Sequence, residues 1–186
     1  MTDAVLIVTG GKLQTPTVVV AEELGLHVIL TDRDPDCCCA ERADEFYPID
    51  IYDVKAHVKL AMDLQRRSDI NLRGVFTAAA DPVKTVAQAA ACAALPHAPL
   101  SAVDAANRKD VMRETLSFFG GVQQPRWLKR EAGQSLGHTI LQVGLPAIVK
   151  NIKGAGGRGH TLFRSEADLT DDKLTLALRR AVSLSR

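Results

Sequence analysis

The fold is decided by residues 4–32, which read AVLIVTGGKLQTPTVVVAEELGLHVILTD. The apolar run Ala4–Val8 leads into Thr9-Gly10-Gly11, a succession typical of a buried strand followed by a turn. Thr15–Leu24 carries apolar residues at helical spacing, and Leu26–Thr31 is again an apolar run. This order predicts a β-α-β unit whose two strands are parallel.

The same alternation continues to about residue 100. Tyr47–Ile51 and Gly74–Thr77 are predicted strands, and Val54–Gln65 has the apolar spacing of a helix. Asp81 followed by Pro82 is expected to cap a further, alanine-rich helix. We therefore predict an α/β domain over residues 1–100, with helices covering both faces of a parallel sheet.

Residues 101–186 have a different character. The predicted elements are helices over 104–120, 136–143 and 174–184, and strands over 126–129, 147–150 and 160–164. We expect this segment to form an α+β lobe that is incomplete.

Composition excludes several classes of protein. The chain has 186 residues, 46% of them hydrophobic, and 23 Lys and Arg stand against 22 Asp and Glu, for a net charge of +1. This balance supports a packed core and argues against a nucleic-acid-binding or membrane-binding surface. No apolar run approaches the length of a membrane span, and the N-terminus lacks signal-peptide features. We expect a cytoplasmic protein.

The cysteines do not predict a metal site. Cys37, Cys38 and Cys39 are consecutive, and Cys92 stands alone. Zinc sites need spaced ligands that converge on one ion, which three adjacent side chains do not provide. We expect reduced loop cysteines, with metal or redox roles as the less favoured alternatives.

The segment 150–159, KNIKGAGGRG, is the most informative for function. Its glycines allow the backbone to approach a ligand, and successive N–H groups in such a loop can bind an anion. Lys150, Lys153 and Arg158 add positive charge. A dinucleotide fingerprint would need a helix after the loop, and a Walker A loop would need Lys where His160 stands. Phosphate binding is favoured, and a plain glycine hairpin with solvated lysines remains the alternative.

These residues resemble a known family. Lys150 with the loop glycines resembles the nucleotide-binding segment of ATP-grasp enzymes, and the upstream segment 107–113 resembles the helix that carries their first ATP-binding lysine. Thr9-Gly10-Gly11 and Asp32 resemble the Rossmann-like domain that precedes ATP-grasp domains. The nearest branch is that of carbamoyl-phosphate synthase and biotin carboxylase.

The resemblance implies an ATP-dependent ligase that converts a carboxylate into an acylphosphate for attack by an amine or similar nucleophile. The implied ATP-binding residues are Lys109, Lys150, Gly154, Gly156, Gly157, Arg158 and Gly159. The loop over 154–159 would cover the phosphates. Thr9, Gly10 and Gly11 would contact the acceptor substrate, although a tight-turn role is the favoured alternative for them. No catalytic residue is assigned.

The resemblance also implies Mg²⁺, whose ligands are expected in sequence downstream of this chain. We therefore expect an N-terminal part of a longer enzyme, inactive alone, whose partners are ATP and an unidentified carboxylate. Apolar surface on a partial lobe would also allow a homodimer. Asn151 stands where the family usually has proline, and His160 where it has an aliphatic residue.

Two other function classes compete with this interpretation of the sequence. A non-catalytic nucleotide- or ligand-binding module is the alternative. A nicotinamide-dependent oxidoreductase is disfavoured, because Gly10-Gly11-Lys12 lacks the remaining glycines of the dinucleotide turn.

Overall fold

The structure is a computed structural model that describes residues 1–78, 81–119, 121–154 and 158–182. The chain divides into two compact units, Met1–Asp104 and Ala105–Arg186.

Within the described part of the first unit, four strands form one parallel sheet. The strands are β1 (Thr2–Val8), β2 (His27–Asp32), β3 (Glu45–Pro48) and β4 (Ile70–Phe76), in the order β3-β2-β1-β4. Every pairing in the sheet is parallel, and β1 lies in its interior between β2 and β4. The burial of β1 from Ala4 to Val8 matches its continuous apolar run.

Helices cover both faces of this sheet. They are α1 (Thr15–Glu23), α2 (Val54–Gln65) and α3 (Val83–Cys92). One face packs Val5 and Ile7 of β1 against Val18 and Ala21 of α1. The other face packs alternate residues of β1 against α2 and α3. The predicted α/β fold with a parallel sheet is confirmed.

The expected N-cap at Asp81 is wrong. Helix α3 begins at Val83, and its N-cap residue is Pro82, with φ −79° and ψ +35°. The carbonyl of Asp81 instead accepts a hydrogen bond from Val83 N–H, at 2.9 Å. The N-cap is therefore Pro82, one residue later in the chain than the predicted cap at Asp81.

The second unit contains shorter elements. They are α4 (Leu100–Asn107, which begins in the first unit), α5 (Lys109–Phe118), α6 (Leu136–Val143), β5 (Ala147–Val149), β6 (Thr161–Phe163) and α7 (Asp171–Val182). Strands β5 and β6 form an antiparallel pair. Leu136, Ile140, Phe163 and Ala177 form the core of this unit.

Two sequence predictions for this unit are wrong. The helix expected over 104–120 is two helices, because Arg108 adopts an extended conformation, with φ −125° and ψ +111°, between α4 and α5. The segment 126–129 is not a strand. A strand needs a neighbour to satisfy its backbone hydrogen bonds, and no described strand pairs with this segment.

In the described ranges, no helix has both the length and the apolar character needed to cross a membrane.

Candidate functional site

The turn after β1 is held by the carboxylate of Asp32, which ends β2. Thr9 Oγ1 donates a hydrogen bond to Asp32 Oδ2 at 3.2 Å, and the Gly10 N–H donates to the same oxygen at 2.8 Å. Thr9 has φ +83°, a region that a β-branched residue rarely adopts. The turn Thr9–Gly11 thus lies at the carboxyl edge of the sheet, where open α/β sheets bind ligands.

The cysteine loop packs against this turn. A Cβ atom on Gly10 would lie 2.3 Å from Cys37 Sγ and 3.0 Å from Leu30 Cδ2, so only glycine fits there. The Cys39 N–H donates a hydrogen bond to the Gly10 carbonyl at 3.1 Å. Burial, together with the charge of Asp32, raises the pKa of the Cys37 thiol. These observations give Cys37 and Cys39 a packing role under the turn.

Gln14 joins the ends of β1 and β4, and the sequence analysis missed it. Its side chain is 1% exposed. Gln14 Nε2 donates to Thr77 Oγ1 at 3.1 Å and also to the carbonyl of Ala78. The Ala78 N–H donates to Gln14 Oε1 at 3.1 Å. The local sequence does not predict these hydrogen bonds, because the partners of Gln14 lie more than sixty residues away in the chain.

His57 supports the end of β2 from α2. Its Nδ1 is 2.8 Å from the carbonyl oxygen of Asp53, which can only accept, so Nδ1 carries the proton. The neutral Nε2 then accepts a hydrogen bond from Thr31 Oγ1 at 2.9 Å. Burial of the ring lowers the pKa of His57 and favours this neutral form. Thr31, the residue before Asp32, is thereby joined by a side-chain hydrogen bond to helix α2, which covers one face of the sheet.

In the second unit, the β5–β6 hairpin has two distinct faces. Ala147 pairs with Phe163, and both are buried against α6 and α7. Ile148 pairs with Leu162 on the opposite face, where they are 52% and 36% exposed. Because side chains alternate along a strand, Lys150 follows Ile148 on this exposed face. A lysine and two apolar side chains therefore share one accessible surface.

Lys109 reaches the glycine loop that follows β5. Its backbone N–H donates to the Ile152 carbonyl at 3.0 Å, and its Nζ donates to the Gly154 carbonyl at 2.6 Å. Gly154 has φ +103°, which strains any residue with a side chain. The structure thus brings together two predicted ATP-binding residues, Lys109 and Gly154, from separate sequence motifs.

His160 lies where the chain leaves the glycine loop. It directly precedes β6 and is half-buried. Burial, followed by the positive charges of Lys150 and Lys109, lowers its pKa below the ordinary value. The positive charges of both predicted phosphate-binding lysines therefore disfavour protonation of this imidazole. Lys150 and His160 directly flank the last hairpin pair, Val149 and Thr161, at the same end of the hairpin.

Asn151 shapes the start of the loop. Its Oδ1 accepts a hydrogen bond from the Lys153 N–H at 2.9 Å, which closes a local turn. The residue is 5% exposed, and its Nδ2 has no hydrogen-bond partner among the described residues. A proline at this position could not form the side-chain hydrogen bond. Asn151 therefore restricts the start of the loop by a hydrogen bond, where the ring of a proline would restrict the backbone directly.

Four further predicted ATP-binding residues belong to the second half of the glycine loop. Gly156 and Gly157 lie outside the described residues, Arg158 is exposed and Gly159 has φ +74°. The described ranges contain no group of three or more His, Cys, Asp or Glu side chains that could hold a metal ion.

Most of the chain is similar to several known proteins. No protein-family model matches it. Over 165 residues the chain is 24% identical to the formate-dependent phosphoribosylglycinamide formyltransferase of Burkholderia mallei (strain SAVP1). That match covers 89% of this chain and 40% of the relative. The chain therefore spans less than half the length of the curated relative that it matches.

Solved structures show the same fold. N5-carboxyaminoimidazole synthetase from Staphylococcus aureus, complexed with ADP, superposes with a TM-score of 0.69 at 22% identity, covering 95% of this chain and 45% of that one. Pyruvate carboxylase from Rhizobium etli superposes with a TM-score of 0.63 at 20% identity, covering 99% of this chain and 17% of that one. The resemblance inferred from the glycine loop is confirmed: the relatives are ATP-grasp ligases, and the chain matches their N-terminal portion.

Proposed function

We propose that this chain is the N-terminal part of an ATP-dependent ligase of the ATP-grasp type. The enzyme would activate a carboxylate as an acylphosphate, which an amine or similar nucleophile then attacks. The hydrogen bond from Lys109 Nζ to the Gly154 carbonyl supports this proposal, because it joins a predicted phosphate-binding lysine to the glycine loop that follows Lys150 in the chain. The chain alone would be inactive.

The exposed face of the β5–β6 hairpin suits a nucleotide. The ammonium groups of Lys109 and Lys150 would neutralise phosphate charge and stabilise the charge that develops during phosphoryl transfer. Ile148 and Leu162 offer an exposed apolar surface beside Lys150 for the base. The ADP bound to the Staphylococcus aureus synthetase supports a nucleotide on a chain of this fold.

The glycine loop would cover the phosphates. We propose that Gly154, Gly156, Gly157 and Gly159 let the backbone approach the nucleotide, and that the Arg158 guanidinium adds a further phosphate contact. The positive φ of Gly154, +103°, supports a close backbone approach at the start of this loop.

The turn Thr9–Gly11 would contact the acceptor substrate. Its position at the carboxyl edge of the parallel sheet supports this role. The Gly10 N–H is already bonded to Asp32, so we assign the direct contact to Gly11 and the side chain of Thr9. The first relative is formate-dependent by name, which supports a small carboxylate as the group that is activated.

Magnesium would be bound outside this chain. The described residues offer no fitting set of ligands, so we propose that its carboxylates come from downstream sequence.

We also propose domains over residues 1–100 and 101–186, a cytoplasmic location and a carbamoyl-phosphate-synthase-like branch. The compact units Met1–Asp104 and Ala105–Arg186 support the domain division.

A calorimetric titration with ATP tests nucleotide binding. We expect saturable binding to this chain, and its loss in Lys150→Ala. Lys55→Ala is the matched control, because Lys55 is an exposed lysine on α2 in the other unit. Equal binding by both variants would contradict the proposed site.

Turnover needs a second experiment, on the chain extended by its natural downstream sequence. The proposal predicts ADP formation that depends on a carboxylate. ATP binding without turnover in the longest natural product would instead identify a non-catalytic binding module.

A further inference from the structure

His160 occupies an unusual place for a titratable side chain. It directly precedes β6, on the hairpin strand opposite Lys150, and it is half-buried. The charged groups that act on it are Lys150, which follows β5, and Lys109, at the start of α5. The charged side chains that influence the His160 imidazole are thus both positive.

Asp110 and Asp168, two carboxylates of the same unit, are paired with other side chains. Asp110 Oδ2 lies 2.7 Å from Arg108 Nη2 and 3.8 Å from Lys129 Nζ. Asp168 Oδ1 lies 2.7 Å from Lys173 Nζ. In the part of the chain that the structure describes, the charges found to act on His160 are therefore all positive.

Lys150 and His160 flank the last pair of the hairpin, Val149 and Thr161, and Lys109 Nζ contacts the loop between them at Gly154. From this placement we propose that His160 is a third phosphate-binding residue, which takes up a proton from the buffered solution when a nucleotide binds. The inference rests on the nucleotide site proposed above. The N–H bond formed on the imidazole is balanced by the bond to hydrogen that breaks in the buffer acid or hydronium ion that gives up the proton, and no other protein group changes its protonation.

The physical reason is the reversal of the local charge. Without an anion, Lys150 and Lys109 disfavour a third positive charge, and partial burial acts in the same direction. Phosphate oxygens would cancel the lysine charges and accept a hydrogen bond from the imidazolium, which raises the pKa of His160. Proton binding and nucleotide binding then favour each other reciprocally.

The pH dependence has a definite sign. The pKa of His160 is higher in the complex than in the free protein, so protons are taken up on binding between those two values. Nucleotide affinity therefore rises as the pH falls through this window. Each unit by which binding raises the pKa strengthens the affinity by up to about tenfold.

The test is calorimetric titration with ADP between about pH 8 and about pH 6, the range in which histidine titrates, in buffers of different ionisation heat. The dependence of the heat on the buffer counts the protons taken up. We compare the wild-type chain with His160→Gln, which keeps a polar side chain of similar size without a titrating ring. His138→Gln is the control, because His138 is exposed on α6.

We expect the wild type and His138→Gln to take up the same number of protons, and His160→Gln to take up fewer, by up to about one per ADP. The phosphate of ADP also carries a titrating proton, so the NMR titration of the ring described below assigns the difference to His160. Identical proton uptake by His160→Gln and wild type would overturn the inference while the nucleotide site stands. Absence of ADP binding to the wild type would remove the site and the inference together.

Imidazole NMR gives a second readout that does not depend on heats. The His160 ring signals should titrate at a higher pH with saturating ADP than without it. An unchanged or lower midpoint in the complex would overturn the inference even if the affinity of His160→Gln were reduced.

Discussion

Lys109 Nζ donates a 2.6 Å hydrogen bond to the carbonyl oxygen of Gly154, across 45 residues of sequence. The Lys109 N–H also bonds to the Ile152 carbonyl at 3.0 Å, so both the main chain and the side chain of Lys109 hold this loop. A phosphate group could replace the Gly154 carbonyl as the partner of the ammonium group. The same contact that holds the loop would therefore keep Lys109 in position for the proposed nucleotide.

Lys109→Met should weaken ATP binding by about tenfold or more, because a hydrogen bond to a charged group contributes about 1.5–3 kcal/mol. Methionine keeps the length of the side chain but removes the charge. Calorimetric titration measures the change, with Lys55→Met as the control on the exposed face of α2. Unchanged affinity in Lys109→Met would refute the role of this lysine.

Gly10→Ala should lower the free energy of unfolding by about 1–3 kcal/mol, the usual cost of overpacking. Its new Cβ would lie 2.3 Å from Cys37 Sγ. Gly11→Ala is the control, because its nearest atom, Thr9 Oγ1, would be 3.9 Å away. Denaturant unfolding measures both variants.

The cause of the Gly10 effect can be separated from a general loss of stability. Adding Cys37→Ala to Gly10→Ala removes the clashing sulfur and should restore part of the lost stability. Additive destabilisation by the two substitutions would show that the close contact with Cys37 is not the cause.

Gln14→Leu should destabilise the chain by about 1–3 kcal/mol, because the Ala78 N–H and carbonyl would lose their partner while the leucine remains buried. Gln65→Leu is the matched control, since Gln65 is exposed at the end of α2. The comparison is made by denaturant unfolding. Equal stability of the two variants would mean that the link from Gln14 to the end of β4 contributes nothing.

His57 should make stability depend on pH. Burial holds its pKa below the unfolded value of about 6.5, so the unfolded chain binds the proton more readily. Its contribution is complete above that value and is lost as the pH falls below it. His57→Gln should therefore show a smaller loss of unfolding free energy than the wild type between about pH 7 and about pH 5.

His138→Gln is the control for this measurement, because His138 is exposed and should follow the wild-type curve. If His57→Gln lost stability with falling pH as steeply as the wild type, another group would be responsible for the acid sensitivity.

Much of the fold could be predicted because its signals are local. The apolar run Ala4–Val8 predicts strand β1, and the helical spacing after Thr15 predicts helix α1. Both predictions are confirmed, because each pattern lies within a single strand or helix. The break at Arg108 was not predicted, since the residues around it, 107–110, include no proline or glycine that would mark the end of a helix. The segment 126–129 has strand-like composition, but strand formation depends on a neighbour that local sequence does not reveal.

By itself, the sequence determined the order of the α/β elements, the resemblance to ATP-grasp enzymes and the residue types at the glycine loop, because each depends on neighbours within a few positions. Only the tertiary structure decided that Lys109 meets Gly154, that Gln14 joins the ends of β1 and β4, and that Lys150 and Lys109 act on His160. These relations are hydrogen bonds and charge interactions between distant residues. Their strength depends on separation in space, which is set by packing of the strands and helices.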